Sequence, residues 1–152
     1  MKEPIRLVRD LSQPIGEIRW PVGVGLQPFS ATLAPRAHAL LRDCYENGYG
    51  IVPVDFDAWW AATRHDSEFD ASLCFCAVQN GNLVGFALCW TSAFVKDIGV
   101  SSQFRRQGIG EALLRTAFHS FRLRGAPTLA LKVQPDNDTA RRLYGKLGFR
   151  ET

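Results

Sequence analysis

The stretch that most restricts the fold runs from Ala93 to Val133. The apolar run AFVKDIGV (93–100) leads through SSQFRRQG into a helical stretch over 108–124 and then a second apolar run, PTLALKV (127–133). Ile109, Leu113, Ala117 and Phe121 recur at helical spacing in the middle segment, giving that helix one apolar face. Strand, helix and strand in this order predict a βαβ unit whose two strands are parallel and whose crossover is right-handed. The residues before it dictate a different pairing. SLCFCAVQ (72–79) and LVGFALCW (83–90) flank Asn80-Gly81, a dipeptide that accepts positive φ at both central positions of a hairpin. Residues 72–100 therefore read as an antiparallel meander, and the central sheet as mixed and mostly antiparallel. The fold class that follows is α/β or α+β, with helices on both faces of the sheet.

The remaining segments fill in around this frame. Residues 5–9 and 17–29 are strand-like and separated by SQP. Residues 33–46 are helical, with Pro35 in the first turn, Ala37, Leu40, Leu41, Cys44 and Tyr45 along one stripe, and Asn47-Gly48 as the stop. A second helix starts at Asp55 as N-cap and carries Phe56, Trp59 and Trp60 on one face. Asp136 or Asn137 caps a later helix bearing Ala140, Leu143, Tyr144 and Leu147, and GFRET begins one more extended segment. A length of 152 residues suits a single domain, 1–152, in which residues 1–20 form an N-terminal extension.

Composition narrows the function classes. Cys44, Cys74, Cys76 and Cys89 contain no CxxC pair, so no zinc site is expected and the thiols are read as reduced and buried. No run is long and apolar enough to span a membrane, and MKEPIRLVRD lacks a signal core, so the expected location is the cytoplasm. Residues 101–152 hold ten Lys/Arg against four Asp/Glu, whereas residues 1–100 hold eight against eleven. The basic third suits an anionic ligand and the acidic part a cationic one. The arginines form no long stripe with interleaved aromatics, which argues against nucleic acid.

The chemistry concentrates at RRQGIG (105–110). A helix that opens behind a glycine-rich turn offers amides with no internal partner at the positive end of its dipole. Gly108 and Gly110 let the backbone come close to a phosphate, and Arg105 and Arg106 add charge. GxGxxG would need a glycine at Leu113, and neither the lysine nor the hydroxyl of a P-loop follows. Dinucleotides and nucleoside triphosphates are therefore disfavoured. A plain helix-start turn with solvated arginines is the other reading of the same residues.

Two segments taken together decide between these readings. Arg105-x-x-Gly108-x-Gly110 follows a strand directly, and NDTARRLYGKLGF (137–149) comes about thirty residues later. The pairing resembles the Gcn5-related N-acetyltransferase superfamily, well over 72–150 and in outline over 22–71. The resemblance implies the acyl-coenzyme A N-acyltransferase fold, acetyl-coenzyme A as cosubstrate and a primary amine as acceptor. It implies that amides of Gln107, Gly108, Ile109 and Gly110, with those near Arg105 and Arg106, cradle the pyrophosphate. It implies that Ile98 and Val100 offer backbone groups to the pantetheine and thioester, that Asn137 contacts the pantetheine arm, and that Tyr144 protonates the departing thiolate. Read from the residues alone, Tyr144 is also a core aromatic and Asn137 a helix cap.

The resemblance is incomplete at two points. Relatives that carry a glutamate base place it near Phe94, which cannot serve. Asp97 is then the base candidate on that strand, with Glu46, Asp55, Asp57, His65, Glu68 or a water chain as alternatives. The family also continues past the Gly-Phe pair with sheet-completing strands, whereas three residues follow Phe149 here. PIRLVRD or GEIRW is expected to supply the lacking strand, within the chain or across a homodimer. The acceptor is expected over the two early helices near Trp59 and Trp60. Two other readings keep the same motifs: a non-catalytic acyl-coenzyme A sensor, and an interaction subunit that docks through the Trp pair. Transfer of a longer acyl chain is a further variant.

Overall fold

A computed structural model describes residues 2–46 and 48–152. Its strands are β1 (Ile5–Asp10), β2 (Val24–Pro28), β3 (Phe69–Gln79), β4 (Asn82–Trp90), β5 (Phe94–Val100), β6 (Thr128–Val133) and β7 (Phe149–Glu151). They form one seven-stranded sheet in the order β2-β3-β4-β5-β6-β1-β7, in which only β5 and β6 are parallel. The Asn80-Gly81 turn closes the β3–β4 hairpin with both residues at positive φ, as the sequence requires.

Helices α1 (Ala34–Glu46) and α2 (Phe56–Arg64) cover one face, and α3 (Ile109–Leu123) and α4 (Asp138–Lys146) the other. Each face has its own core. Phe118, Phe121, Leu113 and Leu131 anchor the α3 side, and Leu41, Trp59, Phe86 and Leu88 the α1 side. Alternation along the strands feeds both cores, which is why β3 and β4 read as nearly continuous apolar runs. The proposed stop of α1 at Asn47 lies outside the described residues.

Cys74 and Cys76 sit side by side in the α1-side core, and all four thiols are free and buried. Trp59 is 3% exposed and packs with Trp60, Phe56 and His38, while Trp60 also meets Phe29 and Phe69. Trp59 of the expected exposed pair is therefore core, while Trp60 is half-buried against its neighbours.

The extension behaves differently from the expected long strand over 17–29. GEIRW forms no strand, because Gly16 turns the chain at φ +82° and Arg115 takes the Glu17 carbonyl at 3.1 Å. Strand β2 starts only at Val24. PIRLVRD instead contributes β1, inserted antiparallel between β6 and β7 of the same chain.

Arg9 pins this insertion. Its guanidinium is buried 4.7 Å above the Phe118 ring and donates to the carbonyls of Leu147 (2.9 Å), Asp10 (2.7 Å), Gln13 (3.1 Å) and Pro14 (2.6 Å). One side chain thus ties β1 to the end of α4 and to the loop that follows β1. Arg9→Met keeps the apolar stem but leaves the buried Leu147 carbonyl and the Pro14 carbonyl without this donor, while Gln13 keeps Arg122 and Asp10 keeps Gln13 N; unsatisfied buried polar groups are costly. Urea unfolding should show a loss of about 2–4 kcal/mol; a loss below about 0.5 kcal/mol would contradict the pinning role.

Candidate active site

Strands β5 and β6 are neighbours for only two residue pairs, Phe94 with Ala130 and Val95 with Leu131. Beyond that point they part. The cause is local to β5: Leu88 and Cys89 of β4 pair with Asp97 and Val95, so Lys96 is an extra residue that bulges the strand. A cleft of about 250 Å³ opens where the strands diverge, lined by both strands, by Tyr45, Tyr49 and Ile51 from the α1 end, and by Asn137 and Tyr144 from α4. The facing edges of the two strands at Ile98 and Lys132 have no strand partner on that side, so backbone groups there are open to a ligand with amides of its own.

The bulge also decides which way Asp97 faces. Val95 packs into the α3-side core, and regular alternation would send Asp97 there too. The inserted Lys96 turns Asp97 toward α1 instead. There Tyr45 donates to Asp97 Oδ1 at 2.8 Å, and Lys96 Nζ lies 3.5 Å from Oδ2. Gly99 makes this meeting feasible: a Cβ on it would come within 2.9 Å of Cys44 Sγ and 3.2 Å of Leu40 Cδ2, so only glycine lets α1 lie so close to β5. Burial pushes the Asp97 carboxyl above the ordinary carboxylate range, partly offset by Lys96 and the Tyr45 hydrogen bond. Burial, with the Asp97 charge beside it, raises Tyr45 as well.

At the open end of β5, Ser102–Phe104 makes one 3-10 turn and Arg106 takes φ +63°. Gly108 follows at φ +89° as N-cap of α3, with no side chain capping that end. The first helical bond at this end runs from Ala112 N to the Gly108 carbonyl, so the amides just before Ala112 face outward from an uncapped, positive helix end. Arg105, Arg106 and Gln107 are exposed around it. Arg105 Nε and the Cys44 thiol both donate to the Val100 carbonyl at 3.3 Å, so that carbonyl is already engaged.

Across the cleft, Asn137 caps α4 by accepting from Ala140 N at 3.3 Å. Tyr144 packs edge-on to Phe149, and no hydrogen bond from a described residue reaches its hydroxyl, which borders the cleft. Burial pushes its pKa up to about 12.

The structure thus brings Asp97, Ile98, Asn137 and Tyr144 to one cleft and sets Gln107, Gly108, Ile109 and Gly110 at the end of the strand that forms its wall. The other base candidates are placed elsewhere. Glu46 pairs with Arg42, Asp55 caps α2, Glu68 accepts from Ser92 N, and Asp57 and His65 sit at the two ends of α2. Sequence reasoning missed Tyr45, Lys96 and Lys132 as cleft residues; Tyr45 lay hidden in an apolar stripe, and a lysine on an exposed strand position carries no signal. Among the described residues no three His, Cys, Asp or Glu side chains gather to hold a metal, and no helix is long and apolar enough to cross a membrane.

A family model described as the acetyltransferase (GNAT) family matches residues 34–149. The chain belongs to the acetyltransferase (GNAT) family. The chain is 34% identical over 96 residues to the [ribosomal protein bS18]-alanine N-acetyltransferase of Escherichia coli K12, covering 61% of this chain and 65% of the relative. It is 28% identical over 160 residues to the mycothiol acetyltransferase of Thermomonospora curvata, covering 98% of this chain and 50% of the relative. The chain therefore spans less than two thirds of these relatives' lengths. A Gcn5-related N-acetyltransferase from Sphaerobacter thermophilus superposes with a TM-score of 0.80 at 25% identity, over 99% of this chain and 50% of that one. The mixed seven-stranded sheet with its parting strands is thus the GNAT fold.

The raised carboxyl gives a stability test. A group whose folded pKa lies above its unfolded value, here 3.8 for Asp97, stabilises the fold below that unfolded value and loses this contribution as pH rises through the folded one. Asp97→Asn does not titrate. The melting temperature of Asp97→Asn minus that of the unsubstituted chain should therefore grow as pH rises from 4 toward 8. A flat or shrinking difference would contradict a carboxylate strained by burial.

Proposed function

We propose that this chain is an acetyl-coenzyme A-dependent N-acetyltransferase acting on a primary amine. The observation that carries the reading is the parting of β5 and β6, whose wall runs straight into the uncapped amides of α3. An extended arm with amide groups can add to the open strand edge while a pyrophosphate sits on the helix end. Gln107, Gly108, Ile109 and Gly110 hold the phosphates through their amides, with Arg105 and Arg106 as flanking charge. Ile98 offers backbone bonds to the pantetheine arm and the thioester. Val100 acts through its place on the strand, since its carbonyl is taken. Asn137 borders the same arm, its Oδ1 spent on the helix cap.

The reaction forms a bond from the amine nitrogen to the thioester carbonyl carbon and breaks the carbon–sulfur bond. The amine arrives protonated and must lose that proton first. Asp97 is shielded by burial, but Tyr45 reaches it: the phenol oxygen takes a proton from the amine while its own proton passes to Oδ1 at 2.8 Å. A carboxylate raised by burial is a stronger base than an exposed one, and the Lys96 charge offsets part of that rise. Strand amides stabilise the oxyanion. Tyr144 stays protonated with its pKa near 12, whereas an ordinary thiol titrates at about 8.5. Complete transfer to the sulfur is therefore uphill, and Tyr144 acts mainly by donating a hydrogen bond as the carbon–sulfur bond lengthens.

Thermal shift against acetyl-coenzyme A, coenzyme A, ATP and NAD tests the ligand. Only the coenzyme A ligands should stabilise, by about 2.7 kcal/mol at a hundredfold excess over Kd, and Gly108→Trp should abolish the effect. No shift at saturating coenzyme A would overturn the reading. Tyr144→Phe should lower kcat by about 10²–10³-fold, the range for removing one preorganised hydrogen-bond donor, with the coenzyme A shift retained; unchanged kcat would remove Tyr144 from the chemistry.

A further inference from the structure

Lys132 of the cleft and Arg6 on the sheet beside it have no role in the reading above. Helix α1 packs chiefly on β4 and β5, and on the neighbouring strands of the α1 side Arg6 and Lys132 are exposed. Lys132 of β6 lines the cleft and is exposed, alternating with the core residues Leu131 and Val133. Arg6 of β1 stands directly opposite Lys132 in the antiparallel register, so both side chains rise from the same face. Pro4, two residues before Arg6, also borders the cleft. Like charges placed directly opposite each other destabilise a sheet. Neither Arg6 nor Lys132 has an acidic partner among the described residues.

The acids nearby are already committed. Asp97 is the one carboxylate lining the cleft, and it is held by Tyr45 and Lys96. Asp10, on the same face of β1 as Arg6, is turned into Ser12, accepting from its amide at 2.9 Å and its hydroxyl at 2.7 Å. Glu3 is exposed, is not among the residues lining the cleft, and makes no ion pair with a described residue. The mouth of the cleft is therefore cationic, although the first hundred residues carry net negative charge. The opposite lip is apolar, with Ile51 82% exposed.

We propose that the acceptor is an amine that also carries a carboxylate, with Lys132 and Arg6 holding that carboxylate while the amine reaches Tyr45. The inference rests on the acetyltransferase reading and narrows its acceptor. It departs from the expectation of a cationic acceptor near the Trp pair, since Trp59 is buried and no described residue of the cleft presents a free acid. A polyamine or a basic peptide would meet Lys96, Lys132 and Arg6 with its own charge.

The test is a matched acceptor set with acetyl-coenzyme A, read by thiol release. It comprises ω-amino carboxylates of two to five carbons, their amides and the corresponding diamines, together with short peptides whose second residue is Asp or Lys. The carboxylate member should exceed its amide in kcat/KM by roughly tenfold and the diamine by more, with the advantage shrinking as salt rises. Lys132→Gln should bring the carboxylate-to-amide ratio toward one, and Lys132→Glu should invert the preference toward the diamine. Preference for the Asp peptide over every free aminocarboxylate would assign the carboxylate to a polypeptide, and the reverse to a small metabolite. Equal use of amide and carboxylate, preference for diamines, or a ratio untouched by Lys132→Gln overturns the proposal. So does failure to acetylate any carboxylate-bearing amine while acetyl-coenzyme A still gives its thermal shift; loss of that shift would instead overturn the acetyltransferase reading.

Discussion

The molecule depends on one inserted residue. Lys96 bulges β5, and from that point the two parallel strands can no longer share hydrogen bonds. Every feature of the site follows from the gap. The bulge reverses the facing of Asp97, opens a strand edge to ligand amides, and aims the end of β5 at the start of α3. Unpaired backbone groups within a sheet are costly, so the gap persists only because the surrounding structure holds the strands apart.

Much of that holding falls on β1. Strand β6 is free on its cleft side beyond Leu131, but its other edge pairs with β1 over six residues, Ile5–Asp10 against Thr128–Val133. Strand β1 in turn carries the short β7 on its far edge. Arg9 secures the arrangement by reaching from β1 to the last turn of α4, where Gly148 at φ +98° leaves its guanidinium room. Tyr144 sits on that same helix, so this cleft-lining residue is tied to the strand that backs the cleft. On the opposite face Gly99 plays the matching part, letting α1 bring Tyr45 down onto Asp97.

Local chemistry made most of the frame legible. The apolar runs flanking Asn80-Gly81, the helical stripe of Ile109 to Phe121 and the cap at Asn137 each depend on neighbours within a few residues, and each lies where its pattern predicts. The glycine turn that opens α3 was legible for the same reason: Gly108 needs its φ where strand meets helix. What could not be read depends on distant partners. IRLVR looks like a strand, but its place between β6 and β7 is set by pairing across more than a hundred residues. A bulge adds a residue without changing composition, so the facing of Asp97 was invisible. Tyr45 obeys the apolar stripe of α1 while its hydroxyl serves the cleft. Trp59 and Trp60 suggested a surface only because the rings of Phe29, Phe69 and Phe86 that enclose them come from other elements.

Amide hydrogen exchange with and without coenzyme A tests most directly whether the parted strands are the cosubstrate's seat. The account predicts new protection confined to the end of β5, residues 97–100, and to the amides 107–111 at the start of α3, with the β2–β3 edge unchanged. Binding of coenzyme A that leaves both segments unprotected, or that protects the β2–β3 edge instead, would contradict it.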